Sequence, residues 1–413
     1  MPEVKQPADR LYFWATALLA GFPLWSMRTT VYLIAVWFFV ALFDHFRHKE
    51  FEAKRNLKWL LLFTALYLVY VLAFLVSPSS AEGMSMLERK FGLLVLPLGF
   101  YLYRRRFSEE QLHQIFTVYQ LANFALALWL YARLIPMLIE FRHLLTIEGF
   151  NYAFRKAVED IGGIHPTYLS ILFLSSVFLQ LKWQFEKRYK RGLLQGYSLL
   201  HIALLTLLCL LLAARGPLLS AAVAFLAVVF MRNWKSGLQL TALLVSGFLV
   251  LIFLFPVVGG RFLEVGKAAE VSAQQSSLTS ANIRVSIHHC AVELIEQHWL
   301  TGVGFAEVQD QLNACYERYN SKLFDEKDYN THNQYFDILL SLGFFGILLF
   351  TLMLVFPVYW AVIKQNEVYL FFTLFIALCF ATENLLSRQY GVVYYAFFNS
   401  LLVHFHFNKK EAN

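Results

Sequence analysis

The chain has 413 residues, of which 58% are hydrophobic, 17% aromatic and only 15% charged. No water-soluble core needs that much apolar surface, so the composition excludes a soluble globular enzyme and marks an all-α polytopic membrane protein. The net charge of +7 gathers in short connections; it reads as a topology signal and not as nucleic-acid binding.

Apolar runs long enough to cross a hydrocarbon layer of about 30 Å recur along the whole chain. They predict spanning helices near residues 11–27, 31–46, 57–77, 91–103, 112–135, 167–181, 194–214, 217–231, 237–258, 335–356, 368–382 and 391–407, about 12 transmembrane helices in all. Met1 to Arg10 imitates the start of a signal peptide, but no small-residue cleavage site follows and Arg28 leads straight into another span, so the first run is kept as a helix.

Basic residues orient the bundle. Arg47, Lys49, Lys54, Arg55 and Lys58 follow the second span, Arg104 to Arg106 the fourth, and Lys182, Lys187, Arg188, Lys190 and Arg191 the sixth. Arg232 and Lys235 follow the eighth, Lys364 the tenth, and Lys409 with Lys410 closes the chain. Every second connection is basic, which predicts cytoplasmic termini. Residues 1–413 then form a single integral membrane domain with two external loop regions, a smaller one at 136–166 and a larger one at 259–334.

In the smaller loop, Met137, Phe141, Leu144, Leu145, Phe150, Phe154 and Val158 recur at helical spacing opposite Glu140, Arg142, Arg155, Lys156 and Glu159, the pattern of a helix lying in the interface. The larger loop is a polar stretch of about seventy residues from Gly259 to Thr331, in which Ile283, Ile287, Ala291, Leu294 and Ile295 form one helical face. Cys290 and Cys315 share it; an oxidising compartment permits a disulfide there, and spacing alone does not decide it. Cys209 and Cys379 read as small core residues.

Polar constellations gather at the outer boundary. Ala213-Ala214-Arg215-Gly216-Pro217 interrupts an apolar run from His201 to Met231 too long for one span, so Gly216 and Pro217 should break it and leave Arg215 at the surface. A lone arginine there snorkels; one at depth needs a partner or an anion. Arg284 lies beside Ile283 and Ile287 and reads either as a solvated side chain or as the edge of a buried face. Gly302-Val303-Gly304 fits a turn better than a phosphate cradle.

Thr331-His332-Asn333-Gln334 has the spacing of a capping box before the apolar run at 335–356. That places His332 in the first helical turn, where the positive helix end holds the ring neutral and able to accept a proton; the bland alternative is a structural histidine. Asp337 is an intramembrane carboxylate that needs a partner. Glu383 and Arg388 flank the last external turn and can simply pair with each other, while His165-Pro166 opens the sixth span.

Ala214-Arg215-Gly216, then Arg284 in a large loop, then His332-Asn333 leading into Leu339, Gly343 and Gly346, with Glu383-Asn384-Leu385 and Arg388-Gln389-Tyr390-Gly391 near the end, resemble the O-antigen ligase and O-antigen polymerase superfamily. The order and spacing of these motifs carry the resemblance, mainly over residues 213 to 391. It implies a GT-C-type membrane glycosyltransferase of the bacterial inner membrane with its site on the periplasmic face. Its donor is an undecaprenyl-diphosphate-linked glycan and its acceptor lipid A-core or another glycan, held among membrane lipids and without a metal or other cofactor. By the resemblance His332 is catalytic and Arg215, Arg284 and Arg388 bind the diphosphate, with Asn333, Glu383 and His165 in support.

The chemistry of the residues agrees. Guanidinium forks bind diphosphate and offset the charge growing on the leaving phosphate. A base removes the acceptor hydroxyl's proton as it attacks from the opposite face, inverting the configuration. There is no Asp-x-Asp, H-E-x-x-H or Cys/His cluster for a metal. Ligase is favoured over polymerase and protein O-oligosaccharyltransferase, which differ from it in acceptor. A lipid-glycan or small-solute transporter is the rival from another class; the polar residues gather at one face and not at mid-membrane, which speaks against it.

Overall fold

The computed structural model describes residues 7–47, 57–76, 81–103, 107–141, 147–186, 192–254, 280–319, 324 and 328–407. Among these the only regular elements are helices. The basic residues at 48–55, 104–106, 187–191 and 409–410 and the polar stretch at 255–279 lie outside the described residues.

Helices α1 (Pro7–Ala20), α2 (Met27–Arg47), α3 (Leu57–Val76), α4 (Ala81–Lys90), α5 (Gly92–Leu102), α6 (Glu109–Phe141), α7 (Ile147–Gly162) and α8 (Pro166–Phe185) make up the first half of the chain. They are followed by α9 (Leu193–Leu212), α10 (Arg215–Arg232), α11 (Trp234–Leu254), α12 (Ser280–His298), α13 (Val308–Tyr316), α14 (Gln334–Ile363), α15 (Glu367–Phe380) and α16 (Gln389–Phe407). Each predicted apolar run overlaps one of these helices, although the run at 11–27 passes through a break after Ala20 into the start of α2, and the end of the run at 237–258 lies outside the described residues. Among the described residues, however, only six helices are long and apolar enough to cross a membrane by themselves, or seven if the bent pair Ala153–Gly162 and Pro166–Phe185 is one span. Helices α1, α5 and α15, with 14, 11 and 14 residues, fall short of the roughly 20 that a perpendicular crossing needs.

The chain forms two compact units. One comprises Met1–Thr64, Gly92–Ala222 and Gln389–Asn413; the other comprises Ala65–Phe91 and Val223–Arg388. In the first unit Trp37 is fully buried, donates from Nε1 to Thr16 Oγ1 at 2.9 Å, and fills space that a Cβ at Gly99 would occupy. Helix α8 is buried along most of its length, and several of its polar groups bond to α9: Ser176 Oγ with His201 Nε2 at 2.9 Å, and Gln180 Oε1 accepting from Ser198 Oγ at 3.0 Å. Such bonds hold membrane helices together where apolar contact with lipid is as good as contact with protein. Phe39, Leu61, Leu72 and Leu210 stay exposed, as lipid-facing side chains must.

The break near residue 213 occurs earlier than Gly216 and Pro217 suggest. Ala213 adopts a left-handed conformation with φ 47° and ends α9, Arg215 opens α10, and Gly216 with Pro217 lies in the first turn. Proline is tolerated there because the first turn's N–H groups have no helical acceptor. Arg155 on α7 donates to the Leu212 carbonyl at 3.3 Å, a cation at the negative end of α9. Phe154 and Val158, expected on the apolar face of the interfacial helix, are buried.

In the second unit, α12 packs the face expected of it: Ile287, Cys290 and Ala291 are buried with Leu312, Tyr316 and Leu340, and Ile283, Leu294 and Ile295 pack against them. Cys290 and Cys315 are disulfide-bonded, which ties α12 to α13. Helix α14 is broken at Gly343, whose φ of 64° and ψ of −159° are not helical. The backbone groups released there are taken up by the turn after α12: Val303 N donates to Leu340 O at 2.7 Å and Phe344 N to Leu300 O at 3.1 Å. Gly302, with φ 73°, sits so close that a Cβ would lie 2.4 Å from Leu340 O. The Gly302-Val303-Gly304 segment is therefore a turn docked on the helix break.

Gly343 is the position least open to change, because a Cβ would lie 2.3 Å from the Leu300 carbonyl on a backbone that only glycine adopts easily. Gly343→Ala is expected to lower the thermal midpoint in detergent by several degrees. Gly196→Ala, in α9 with open space around it, should leave that midpoint unchanged or raise it.

Candidate active site

The site lies within the second unit, at the end of the α14–α15 hairpin opposite Lys364 and Glu367. The far end carries the ion pair of Arg232 Nε with Glu367 Oε1 at 3.8 Å. At the near end Glu383, almost buried in the turn after α15, bridges two candidates drawn from distant parts of the chain. Its Oε1 accepts from Arg284 Nη2 at 3.1 Å and its Oε2 meets His332 Nδ1 at 3.2 Å. Glu383 thus pairs with Arg284 and His332, partners other than the Arg388 that the sequence suggested.

The start of α14 differs from the capping box. The N-cap is Asn333, whose side-chain oxygen accepts from Tyr335 N at 2.9 Å and Phe336 N at 3.3 Å. Thr331 is diverted: its buried hydroxyl lies 2.9 Å from Asn333 O and 3.0 Å from Asn384 Oδ1. Gln334 does not reach back; its Oε1 accepts from Leu386 N at 2.7 Å and its Nε2 donates to Asp337 Oδ2 at 2.8 Å. Asp337, which needed a partner, also accepts from Asn384 Nδ2 at 3.2 Å.

His332 therefore precedes the helix and is not in its first turn. Its φ is 45°, a left-handed conformation that costs a non-glycine residue about 1–3 kcal/mol and is kept only where the surroundings impose it. Here they do: His332 N donates to Asn330 Oδ1 at 3.0 Å, while Thr331 and Asn333 on either side are pinned as described. The ring is oriented by Glu383 and not by the helix end. A carboxylate can only accept, so Nδ1 carries a proton, and in the neutral ring the lone pair is then on Nε2.

Arg284 keeps capacity beyond this pair. Its side chain is 48% exposed and only Nη2 bonds to Glu383, so its remaining donors can meet an anion. His288, one helical turn further along α12, packs edge-on against Phe336 at 5.6 Å. Burial, then the neighbouring charges of Arg284 and His332, pull its pKa below the ordinary histidine value, so it adds no charge to the site at neutral pH. Sequence reasoning missed it, although its spacing of four from Arg284 on one helix was available.

Arg388 follows the short turn Leu385–Ser387 with an extended backbone and an exposed side chain. Two expected site residues belong to the first unit. Arg215 is exposed at the start of α10. His165 is the N-cap of α8, its Nδ1 accepting from Thr167 N at 3.4 Å, which is a structural role.

Arginine, carboxylate and histidine at the end of a membrane helix pair can bind an anionic leaving group and take up a proton side by side. Residues 200–351 match the family model described as O-antigen ligase. This match supports the resemblance to the O-antigen ligase superfamily. The apolar helices mark a multi-pass membrane protein, and the matched family comprises glycosyltransferase-like enzymes, ligases and polymerases, with glycan or lipid-linked substrates in a membrane. Arg215, Arg284, His332 and Asn333 lie inside the matched region, whereas Glu383 and Arg388 lie beyond it. No curated protein matches the sequence.

Proposed function

We propose that the protein is an O-antigen ligase with a GT-C-type fold of twelve crossings. It transfers a glycan from undecaprenyl diphosphate to a sugar hydroxyl of lipid A-core on the periplasmic face of the bacterial inner membrane. The observation that carries the reading is the Glu383 bridge, which sets a proton acceptor next to a half-exposed guanidinium inside one compact unit. The acceptor oxygen attacks the anomeric carbon as the bond from that carbon to the phosphate oxygen breaks. His332 Nε2 takes the hydroxyl proton, and undecaprenyl diphosphate leaves with the electron pair and the configuration inverted.

Arg284 and Arg388 meet the diphosphate, and bidentate guanidinium contacts stabilise the charge that grows on it. Arg215 keeps its diphosphate role on the strength of the resemblance. None of these steps draws on a metal, so transfer is expected to persist in chelator.

A lipopolysaccharide gel from a deletion strain tests the acceptor. Loss of a ligase leaves bare lipid A-core with long chains stranded on polyprenol. Core carrying a single repeat unit would instead assign a polymerase, and an unchanged gel would remove both.

A further inference from the structure

Next to the catalytic segment, within the same unit, is a cavity of about 230 Å³. That is room for several waters or for one sugar ring. Its wall is chemically mixed: Lys90, Asp328, Asn330 and Asp337 supply donors and acceptors, and Tyr70 and Phe305 supply aromatic surface.

Three details point to a ligand. Lys90 is buried, yet its ammonium has one carbonyl, Leu386 O at 3.1 Å, and the face of Tyr70 at 4.8 Å. Burial pulls its pKa below the ordinary lysine value, against the opposing pull of Asp337. The Tyr70 hydroxyl is buried on the cavity wall beside Ser341 and makes no hydrogen bond of normal geometry among the described residues, so a bound hydroxyl would improve its pairing. Finally, Asn330 both lines the cavity and accepts from the His332 backbone N–H, so the wall and the proton acceptor are two residues apart.

We infer that this cavity binds a single sugar ring of one of the two reacting glycans, its hydroxyls bonded by Tyr70, Lys90, Asn330 and Asp337 and its apolar face set against Phe305. The inference rests on the proposed glycosyl transfer. Mixed acids, amides and cations with an adjoining aromatic suit a neutral polyol; a diphosphate would meet the carboxylates of Glu82, Asp328 and Asp337 against the two cations Arg89 and Lys90.

The test uses full-length protein in detergent, with Tyr70→Phe and Asp328→Asn as variants. KM and kcat are measured separately for lipid A-core and for the undecaprenyl-diphosphate-linked glycan. Tyr70→Phe should leave the thermal midpoint near wild type, because it removes a buried hydroxyl with no hydrogen bond of normal geometry, and should raise KM for one substrate about fivefold to tenfold with kcat near wild type. A rise confined to lipid A-core places the acceptor ring in the cavity, and one confined to the lipid-linked glycan places the donor ring there. Saturation-transfer NMR with the delipidated core oligosaccharide and with the released donor glycan should show the same preference, weakened in both variants. Normal KM for both substrates in both variants overturns the inference while leaving the transferase reading intact. Absence of transfer by the wild-type protein removes that reading instead.

Discussion

Glu383→Gln is expected to lower the rate of glycan transfer by a hundred- to ten-thousandfold while the protein stays folded. The reason is the direction of its hydrogen bonds. Arg284 can only donate, so the amide of glutamine must turn its oxygen toward Arg284 Nη2, where Glu383 Oε1 now sits at 3.1 Å. The amide nitrogen then faces His332 Nδ1, the position of Oε2 at 3.2 Å, and it donates. Nδ1 must accept, the ring proton moves to Nε2, and the lone pair that receives the acceptor hydroxyl's proton is gone. The loss should appear in kcat, with donor KM little changed because Arg284 keeps its partner. Transfer at the wild-type rate by folded Glu383→Gln would mean that the carboxylate does not control the histidine.

His332→Asn should produce a loss of the same order. Asparagine is the suitable replacement because His332 occupies a left-handed backbone position with φ 45°, which asparagine tolerates better than most residues. It keeps polar contact but takes no proton. A base role predicts transfer slowed by at least a hundredfold across the pH range where the wild type works. If His332 only positions the acceptor, asparagine should keep substantial turnover, and the pH profile should match that of the wild type. Combining His332→Asn with Glu383→Gln should add little to either alone, since both remove one proton acceptor.

The helices were readable because apolar runs are local signals. Arg284, His332, Asn333 and Glu383 were readable as separate polar residues at helix ends. Their assembly was not: Glu383 lies 51 residues from His332 and 99 from Arg284, and no periodicity reports such a contact. The capping box was misjudged because Thr331 and Asn333 are both good caps, and the choice between them is made by Asn384, which occupies the threonine hydroxyl. The break in α14 is silent because a glycine within a long apolar run is no signal by itself, and Gly343 reveals itself only when the turn at Leu300 to Val303 supplies partners for the opened backbone. Lys90 escaped notice because α4 reads as a polar connection, and nothing local says that its last residue is buried.

The most direct test of the account is transfer by the purified protein, given undecaprenyl-diphosphate-linked glycan and lipid A-core in detergent. It should release undecaprenyl diphosphate and join the glycan to the core with the anomeric configuration inverted, with Glu383→Gln and His332→Asn nearly inactive beside it. Retained configuration, transfer by both variants at the wild-type rate, or a wild-type protein that makes no product yet moves the lipid-linked glycan across a liposome membrane would contradict it.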